Sequence, residues 1–289
     1  MNRNMIDATA IIMTKNEEKN IAECLQSIAN LAKRAVVIDC GSTDNTVKLA
    51  EENGADVYTH EFEYYAKQFN WGIENTGIDT EWIIRLDADE RFPAELCEEI
   101  EKLIKNGDKD MNGITMEADF FFLGRFMKRG PCKKRKMMMF KRKYGCIEDK
   151  RRDAHSIISS GHSVCTKRHF LHYDFKSLDH YIKRYNWYAT REMQDYVDFV
   201  AMGNVEVNTD KKILRQRKKK YGLYYRAPRF IRAWLWFSYN YIFRLGFLDG
   251  REGFLLCYFE CYWYRMLVDA KIYEHQLTGG EFETLKAID

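Results

Sequence analysis

The first hundred residues alternate between short apolar runs and segments in which apolar residues recur at helical spacing. The apolar runs predict four strands, over Ala8–Thr14, Ala35–Asp39, Ala55–Thr59 and Glu81–Asp87. The periodic segments predict four helices, built around Ile21 to Leu31, Val47 to Ala50, Ala66 to Ile73 and Leu96 to Ile104. Strands that alternate with helices predict the α/β class, with a Rossmann-like, doubly wound and mostly parallel sheet.

Local signals predict where these helices begin and end. Thr14 and Glu17 stand at the spacing of a capping box, which predicts that the first helix opens there. Gly54 is expected to end the second helix, and Pro93 to open the fourth. Glu90 is interpreted as an acid of the first turn of that fourth helix, where a negative charge favours the helix dipole.

Polar residues follow three of the predicted strands, at Thr14–Glu17, Asp39–Asp44 and Asp87–Glu90. Ligands of such sheets bind at the carboxyl ends of the strands, so these residues predict a binding site. The chain has neither the GxGxxG pattern of dinucleotide-binding proteins nor the GxxxxGK[ST] pattern of a P-loop. A ligand at this site is therefore expected to be bound without either of these two glycine-rich motifs.

The stretch WIIRLDADERF places Asp87 and Asp89 directly after a buried strand, with only the small Ala88 between them. Two carboxylates so close repel each other unless a cation joins them, and Mg²⁺ or Mn²⁺ prefers oxygen ligands shared with phosphates. The alternative is that Asp89 caps the following helix. Asp39 could accept hydrogen bonds from a ribose or base, whereas Asp44 fits a turn or a cap.

Composition sets broad limits on the 289 residues. A hydrophobic content of 46% can fill the core of one large domain or of a domain with an extension, and three prolines without repeats disfavour solenoids. Met1–Asp7 lacks an apolar signal region, and no run of eighteen residues is free of charge, so neither export nor a spanning helix is expected. The eight cysteines contain no CxxC pair and are expected to be reduced in a cytosol.

The second half of the chain contains basic clusters, which are Lys133–Lys136, Lys141–Lys143, Lys150–Arg152 and Lys211–Lys220. An aromatic segment follows the last of them, with Trp234, Trp236, Tyr239 and Tyr241 beside Arg226, Arg229 and Arg232. This mixture is typical of a helix lying on an anionic membrane. The alternatives are a helical extension that packs on the sheet, or a dimer contact. Nucleic acid is not expected as a partner.

Four segments, in this order, resemble the signature segments of the family 2 glycosyltransferases, which have the GT-A fold: IIMTKNEEKNIAECLQSI, VVIDCGSTDNTVKLA, AKQFNWGI and WIIRLDADERF. Later segments are similar to the branch that includes the lipopolysaccharide-core glucosyltransferases: FFLGRFMKRG, MMMFKRKYGCIED, HFLHYDFKSLDHYIKRYN and FRLGFLDGREGF. The resemblance covers the chain from Ala8 to about Val268. It implies inverting transfer of a sugar from a nucleotide-diphosphate donor, usually a UDP-sugar, to a hydroxyl group.

The resemblance also implies roles for individual residues. The donor-binding residues would be Thr14, Asn16, Glu17, Asp39, Ser42, Lys67, Gln68, Asn70 and Asp87. A Mg²⁺ or Mn²⁺ ion would be held by Asp89 most directly, with Asp87 and with His155 as a further candidate. His172 is a weaker candidate of the same kind as His155.

Inversion requires a general base that takes the proton of the attacking hydroxyl. The segment CIEDKRRDAHS offers Glu148, Asp149, Asp153 and His155. Relatives often show an ED pair followed more closely by a His-Glu pair, whereas here the spacing is longer and Ser156 replaces the Glu. We favour Asp149 as the base and place Glu148 second. The alternative is that both acids pair with Lys150–Arg152.

These observations predict a metal-dependent glycosyltransferase that acts on a lipopolysaccharide-core, capsule or lipid-linked glycan acceptor. Residues 1–175 would form the GT-A domain, and residues 176–289 a helical, aromatic-rich extension for acceptor, membrane or oligomer contact. The protein would be cytoplasmic and peripheral on the inner membrane. The alternatives are a metal-dependent nucleotidyltransferase, or a non-enzymatic module that binds membrane or nucleic acid.

Overall fold

The computed structural model describes residues 5–132, 134–151, 154–173, 177–202, 215, 222 and 224–278, without the side chains of residues 201 and 202. Asp153, which the sequence offered as a general base, and most of the basic segment Lys211–Lys220 lie outside the described residues.

Strands and α-helices alternate through the first half of the described chain, and helices form its end. The strands are β1 (Ile6–Thr14), β2 (Ala32–Asp39), β3 (Asp56–Thr59), β4 (Trp82–Asp87), β5 (Glu90–Arg91), β6 (Met111–Phe122), β7 (Arg125–Met127), β8 (Arg135–Lys141), β9 (Gly145–Ile147), β10 (Ser156–Ile158), β11 (His162–Cys165) and β12 (Phe170–His172). The α-helices are α1 (Ile21–Ile28), α2 (Thr46–Glu52), α3 (Tyr65–Asn75), α4 (Ala94–Asn106), α5 (Leu178–Met202), α6 (Ile231–Ser238), α7 (Gly250–Cys257) and α8 (Tyr264–Thr278).

The first four strands form a parallel sheet in the order β3-β2-β1-β4, as the alternation of strands and helices predicts. Thr14 lies opposite Asp39, and Met13 lies opposite Asp87. The polar residues that follow these strands therefore meet at one edge of the sheet, which we call the carboxyl edge. The predicted α/β class and Rossmann-like arrangement are confirmed.

The sheet continues with mixed strand directions. Strand β8 is antiparallel to both β4 and β6, and β6 also pairs with β7, β11 and β12. The two-residue strand β5 closes the path by pairing with β12, which places Glu90 opposite His172. This pairing brings residues from the middle of the chain to the carboxyl edge.

Helices cover both faces of the sheet. On one face, α1 buries Ile21, Leu25 and Ile28, and α4 buries Leu96 and Ile100. On the other face, α3 packs Phe69 beside Phe140. A Cβ atom at Gly72 would come within 2.1 Å of Ile38 Cδ1, so this glycine permits the close approach of α3 to β2.

The C-terminal helices pack on the far end of β6. Phe120 and Phe122 of that strand share a buried cluster with Tyr181 and Tyr185 of α5 and with Val268 of α8. A helical, aromatic-rich extension is therefore confirmed, and it packs on the sheet.

The prediction that Arg232 faces anionic lipid is wrong. Its side chain is only 2% exposed and forms an ion pair with Asp269, which is fully buried. The Arg232 guanidinium also lies 4.9 Å from the ring centroid of Tyr224. A carboxylate 37 residues away in sequence thus takes the charge that the local pattern assigned to a membrane.

Among the helices that the structure describes, none is long and apolar enough to cross a membrane.

Candidate active site

Asp39, at the end of β2, organises the loop that follows it. The carboxylate is buried and accepts four hydrogen bonds. One oxygen accepts from Thr14 Oγ1 (2.9 Å) and Ser42 Oγ (2.5 Å). The other accepts from the backbone N–H groups of Gly41 (2.9 Å) and Ser42 (2.7 Å). Gly41 has a φ of 82°, a conformation that glycine adopts without strain. The loop at residues 40–43 is therefore fixed by the residue that was predicted to meet the nucleotide.

The loop after β1 is tied to the loop after β2. Asn16, at a φ of 53°, donates its backbone N–H to Ser42 Oγ (2.8 Å) and accepts from the backbone N–H of Thr43 (2.8 Å). The Glu17 backbone N–H bonds Thr46 Oγ1 at 2.7 Å. The predicted capping box is wrong, because Thr14 lies in β1 and bonds Asp39, and α1 begins only at Ile21.

The three donor-site candidates of α3 have partners within the protein. Lys67 pairs with Glu63 at 2.7 Å on the surface. Gln68 is buried and bonds the side chain of His60 at 2.6 Å and its carbonyl at 3.1 Å. Asn70 forms two hydrogen bonds with the backbone of Ile147, at 2.8 and 2.9 Å. Gln68 and Asn70 thus link α3 to His60, the residue after β3, and to β9.

Asp87 lies in a buried network of charges. One of its oxygens accepts from Lys136 Nζ (2.8 Å) and the other from Tyr65 OH (3.0 Å), which in turn accepts from Arg85 Nε (2.8 Å). Burial alone would raise the pKa of Asp87, but Lys136 and Arg85 hold it well below the usual range. The carboxylate is therefore ionised and already has a cation beside it.

Glu90 belongs to the same network. It lies in β5, is fully buried, pairs with Lys136 at 2.5 Å and accepts the backbone N–H of Asp87 at 3.0 Å. Its interpretation as an acid of the first turn of a helix is wrong, because α4 begins at Ala94. Glu90 instead fixes the turn that carries Asp89.

Asp89 is the partly exposed acid of this turn. His172 Nε2 lies 3.8 Å from Asp89 Oδ2, and the backbone N–H of Tyr173 bonds the Asp89 carbonyl at 2.9 Å. His155, the preferred histidine candidate from the sequence, instead faces Glu148, with His155 Nδ1 3.7 Å from Glu148 Oε2. Of these two histidines, the structure brings His172 to Asp89.

The donor set can be tested against a divalent cation. Asp89 offers a carboxylate, the ligand type that suits Mg²⁺ and Mn²⁺, and His172 adds an imidazole, which binds several transition metals. His172 Nδ1 is buried and has no hydrogen-bond partner among the described residues. The described residues contain no cluster of three His, Cys, Asp or Glu side chains that could hold a metal. Asp89 and His172 thus fit a cation that takes its other ligands from a bound substrate.

Glu148 and Asp149 follow β9 but have different surroundings. Glu148 is buried, with Lys150 3.5 Å from one carboxylate oxygen and His155 3.7 Å from the other. Asp149 is exposed and accepts a hydrogen bond from Tyr64 OH at 2.5 Å. Burial and the charge of Asp149 raise the pKa of Tyr64, which keeps its phenol protonated. Asp149 can therefore reach an incoming hydroxyl, whereas Glu148 is enclosed.

Sequence reasoning missed Lys136, Tyr64 and Tyr65. Lys136 was visible only as one member of a basic cluster, although it stands in β8 next to the acidic turn. The pairing of β8 with β4, which no local pattern encodes, brings it there. Tyr64 and Tyr65 stand before the donor-site candidates of α3, and their hydroxyl groups gave no signal in the sequence.

The family model described as Glycosyl transferase family 2 matches residues 9–162, more than half of the chain. The chain belongs to glycosyl transferase family 2. The predicted family is therefore confirmed.

Relatives of this family 2 glycosyltransferase carry related names. An uncharacterised glycosyltransferase of Rickettsia felis is 36% identical over 102 residues, 35% of each chain. The uncharacterised glycosyltransferase RT0209 of Rickettsia typhi is 26% identical over 265 residues, 86% of this chain and 80% of that one. The lipopolysaccharide core biosynthesis glycosyltransferase LpsC of Rhizobium meliloti is 23% identical over 196 residues, 66% of this chain and 72% of that one.

The match to three of the Rickettsia relatives is partial. The chain spans between 34% and 39% of the length of three Rickettsia glycosyltransferases that are 33–36% identical to it. The family model covers residues 9–162, which include Asp39, Asp87 and Asp89 of the carboxyl edge but not His172.

Proposed function

We propose that this glycosyltransferase catalyses metal-dependent, inverting transfer of a sugar from a nucleotide-diphosphate donor, a UDP-sugar, to a hydroxyl of a lipopolysaccharide-core, capsule or lipid-linked glycan. The observation that carries the proposal is the Asp89–His172 pair at the carboxyl edge, 3.8 Å apart. Membership of family 2 supports sugar transfer, and the printed name of LpsC supports a glycan of the lipopolysaccharide core.

The proposal divides the chain into two parts. Residues 1–175 would bind the donor and carry the chemistry, whereas residues 176–289 would contact the acceptor, the membrane or a second copy. Within the first part, the loops fixed by Asp39, Ser42 and Asn16 would border the nucleotide. The described contacts of Thr14, Glu17, Gln68 and Asn70 support an indirect role, in which these residues hold the loops and helices that shape the donor site.

Asp89 and His172 would hold Mg²⁺ or Mn²⁺, with the donor diphosphate supplying further oxygen ligands. When bound, the cation would offset the negative charge that develops on the leaving nucleotide. The sequence predicted Asp87 as a direct metal ligand. We propose instead that it does not bind the metal, since Lys136 and Tyr65 already donate hydrogen bonds to its two oxygens. It would position the turn that carries Asp89.

Asp149 would be the general base, because it is exposed while its hydrogen bond from Tyr64 fixes its direction. We expect Asp149→Asn to lower kcat by about 10²–10⁴-fold with little change in UDP affinity, since the base acts only in the chemical step. Glu148→Gln is the comparison, and kcat is measured by release of UDP. If Glu148→Gln abolished turnover and Asp149→Asn did not, the base would be Glu148.

A screen of nucleotide sugars by thermal shift, with and without Mn²⁺, tests the proposed function. A ligand that binds only the folded protein stabilises it by about 2.7 kcal/mol at a concentration 100 times its Kd. We expect UDP and one UDP-sugar to raise the Tm in the presence of Mn²⁺ and to have a much smaller effect with EDTA. Failure of every nucleotide sugar to raise the Tm with Mn²⁺ would refute the donor proposal.

The proposed membrane contact is carried by an exposed apolar surface on α6 and the segment after it. We call this the aromatic surface; its most exposed members are Phe243 (76%), Leu235 (61%), Ile231 (57%) and Trp234 (56%). Arg226, five residues before Ile231, and Arg251, eight residues after Phe243, are exposed, and the acid Glu252 is paired with Arg125. An apolar patch with a basic rim fits the interface of an anionic membrane, which supports a peripheral location on the cytoplasmic face.

Flotation with anionic vesicles tests this contact. We expect the protein to float with the vesicles at low salt. The double variant Leu235→Glu, Phe243→Glu should stay in the bottom fraction of the gradient, because two charges on the aromatic surface oppose its insertion into the membrane. Leu178→Glu, at an exposed leucine of α5 outside this surface, should still float. If the wild-type protein stayed in the bottom fraction at low salt, the membrane proposal would be contradicted.

A further inference from the structure

Helix α5 has two differently buried faces. Tyr181, Tyr185, Ala189 and Met193 are buried in the cluster shared with α7 and α8. A second stripe at helical spacing consists of half-buried side chains, which are Arg184, Trp187, Tyr188, Arg191 and Asp195. Of these, Trp187, Arg191 and Asp195 contact the sheet domain. The position of this stripe makes α5 a wall beside the sheet domain.

The contacts of the stripe lie on the two segments that hold the candidate base. Trp187 packs on Phe62 with 6.0 Å between ring centroids, and Arg191 donates to the Glu63 carbonyl at 3.4 Å. The backbone N–H of Arg151 bonds Asp195 at 3.2 Å. Phe62 and Glu63 precede Tyr64, whose hydroxyl bonds Asp149, and Arg151 follows Asp149 by two residues. Arg191 and Trp187 are therefore neighbours of the base.

The charge of Arg191 is compensated only at a distance. Among the described residues, its hydrogen bond goes to the neutral carbonyl of Glu63, and no carboxylate forms an ion pair with it. The charges of Glu63 and Asp195 favour the guanidinium from a distance, and Glu63 itself pairs with Lys67. Burial and the Arg151 guanidinium lower the pKa of Arg191. A half-buried guanidinium in such surroundings favours an anionic ligand.

Trp187 offers an unsatisfied donor next to this cation. The Arg191 guanidinium lies 4.8 Å from the centroid of the Trp187 ring. Trp187 Nε1 is buried and has no hydrogen-bond partner in the part of the chain that the structure describes. An unpaired buried N–H costs free energy, which a bound acceptor oxygen would recover. The aromatic faces of Trp187 and Tyr188 add apolar surface on which a sugar ring can pack.

We propose that Arg191 and Trp187 form the subsite for an anionic group, a carboxylate or a phosphate, on the acceptor sugar whose hydroxyl faces Asp149. This inference rests on the proposed function, since it names the class of acceptor for the same site. The acceptor is then an acidic or phosphorylated sugar. The guanidinium binds the anion, the indole N–H donates to one of its oxygens, and the sugar ring lies toward the base.

Saturation-transfer NMR tests the subsite with three simple probes, in the presence of Mg²⁺ and UDP. The probes are methyl glucuronide, methyl glucoside 6-phosphate and neutral methyl glucoside, so that carboxylate and phosphate are separated. We expect one anionic probe to bind about tenfold more tightly than methyl glucoside at low salt, since one charge-assisted hydrogen bond accounts for such a factor. The preference should weaken as salt rises.

Matched variants connect the preference to the two side chains. Arg191→Gln should abolish it, and Trp187→Phe, which keeps an aromatic ring but removes the N–H, should reduce it. Lys183→Gln removes a cation from an exposed position of the same helix and should leave the preference unchanged. Equal binding of all probes by the wild-type protein, or a preference retained by Arg191→Gln, would overturn the subsite.

UDP affinity, measured by calorimetry on the same samples, separates this inference from the proposed function. If the wild-type protein does not bind UDP with Mg²⁺, the proposed function fails. If it binds UDP but shows no preference for an anionic probe, only the subsite fails. Weakened UDP binding in Arg191→Gln, with the probe preference intact, would assign Arg191 to the donor instead.

Discussion

Asp89→Asn is expected to lower Mn²⁺-dependent release of UDP by at least about a hundredfold. The substitution keeps the size of the side chain but removes the negative charge that, with His172, would hold the cation. Loss of the cation removes the electrostatic stabilisation of the leaving nucleotide, which contributes several kcal/mol in enzymes of this kind. UDP release is measured with the donor found by thermal shift, across a range of Mn²⁺ concentrations.

A second acid-histidine pair in the same sheet provides the control. Asp119 of β6 lies 2.8 Å from His169, and its strand partner is Leu171, next to His172, but its carboxylate pairs with His169 and lies outside the acidic turn itself. We expect Asp119→Asn to retain the activity of the wild-type enzyme. Full UDP release by Asp89→Asn, or an equal loss in both variants, would show that Asp89 has no specific role in binding the cation.

Lys136→Met is expected to lower the free energy of unfolding by about 3–5 kcal/mol. Removal of this ammonium leaves Asp87 and the fully buried Glu90 close together without their shared cation. Because Lys136 and Arg85 depress the folded-state pKa of Asp87, its contribution to stability is complete above the unfolded-state pKa of about 3.9 and is lost as the pH falls below it. Urea denaturation at pH 7 gives the size of the effect.

Two further variants test whether the unpaired carboxylates cause the loss of stability in Lys136→Met. Glu90→Gln in the Lys136→Met background should restore part of the lost stability, because it removes one of the two unpaired charges. Lys33→Met breaks an ion pair with Asp7 in which both side chains are about half exposed, and should cost less than about 1 kcal/mol. A loss for Lys136→Met as small as that for Lys33→Met would mean that the buried network contributes little.

The parallel half of the sheet could be predicted from sequence because its signals are local. Apolar runs and helical spacing locate β1 to β4, and parallel strands align their carboxyl ends, so Thr14, Asp39 and Asp87 were expected at one edge. The mixed half carries weaker signals. Its strands β5, β7 and β12 contain two or three residues each, too few for a periodic pattern to show.

The parts of the site that sequence reasoning missed depend on long-range pairing. Glu90 has the local signature of a helix acid, but its pairing with Lys136, 46 residues later, decides its role. Thr14 has the signature of a cap, but Asp39 on the neighbouring strand takes its hydroxyl. Arg232 has the signature of an interfacial cation, but Asp269 buries it. In each case a tertiary contact outweighs the local preference.

Strand β6 has a consequence for how this enzyme unfolds. Its first half, including Ile114 and Met116, lies in the core of the sheet, and its second half, including Phe120 and Phe122, lies in the core shared with the C-terminal helices. A chain cut near residue 175 would expose those two phenylalanines to water. One continuous strand therefore contributes to both cores, and the sheet and the C-terminal helices should melt together in one cooperative transition.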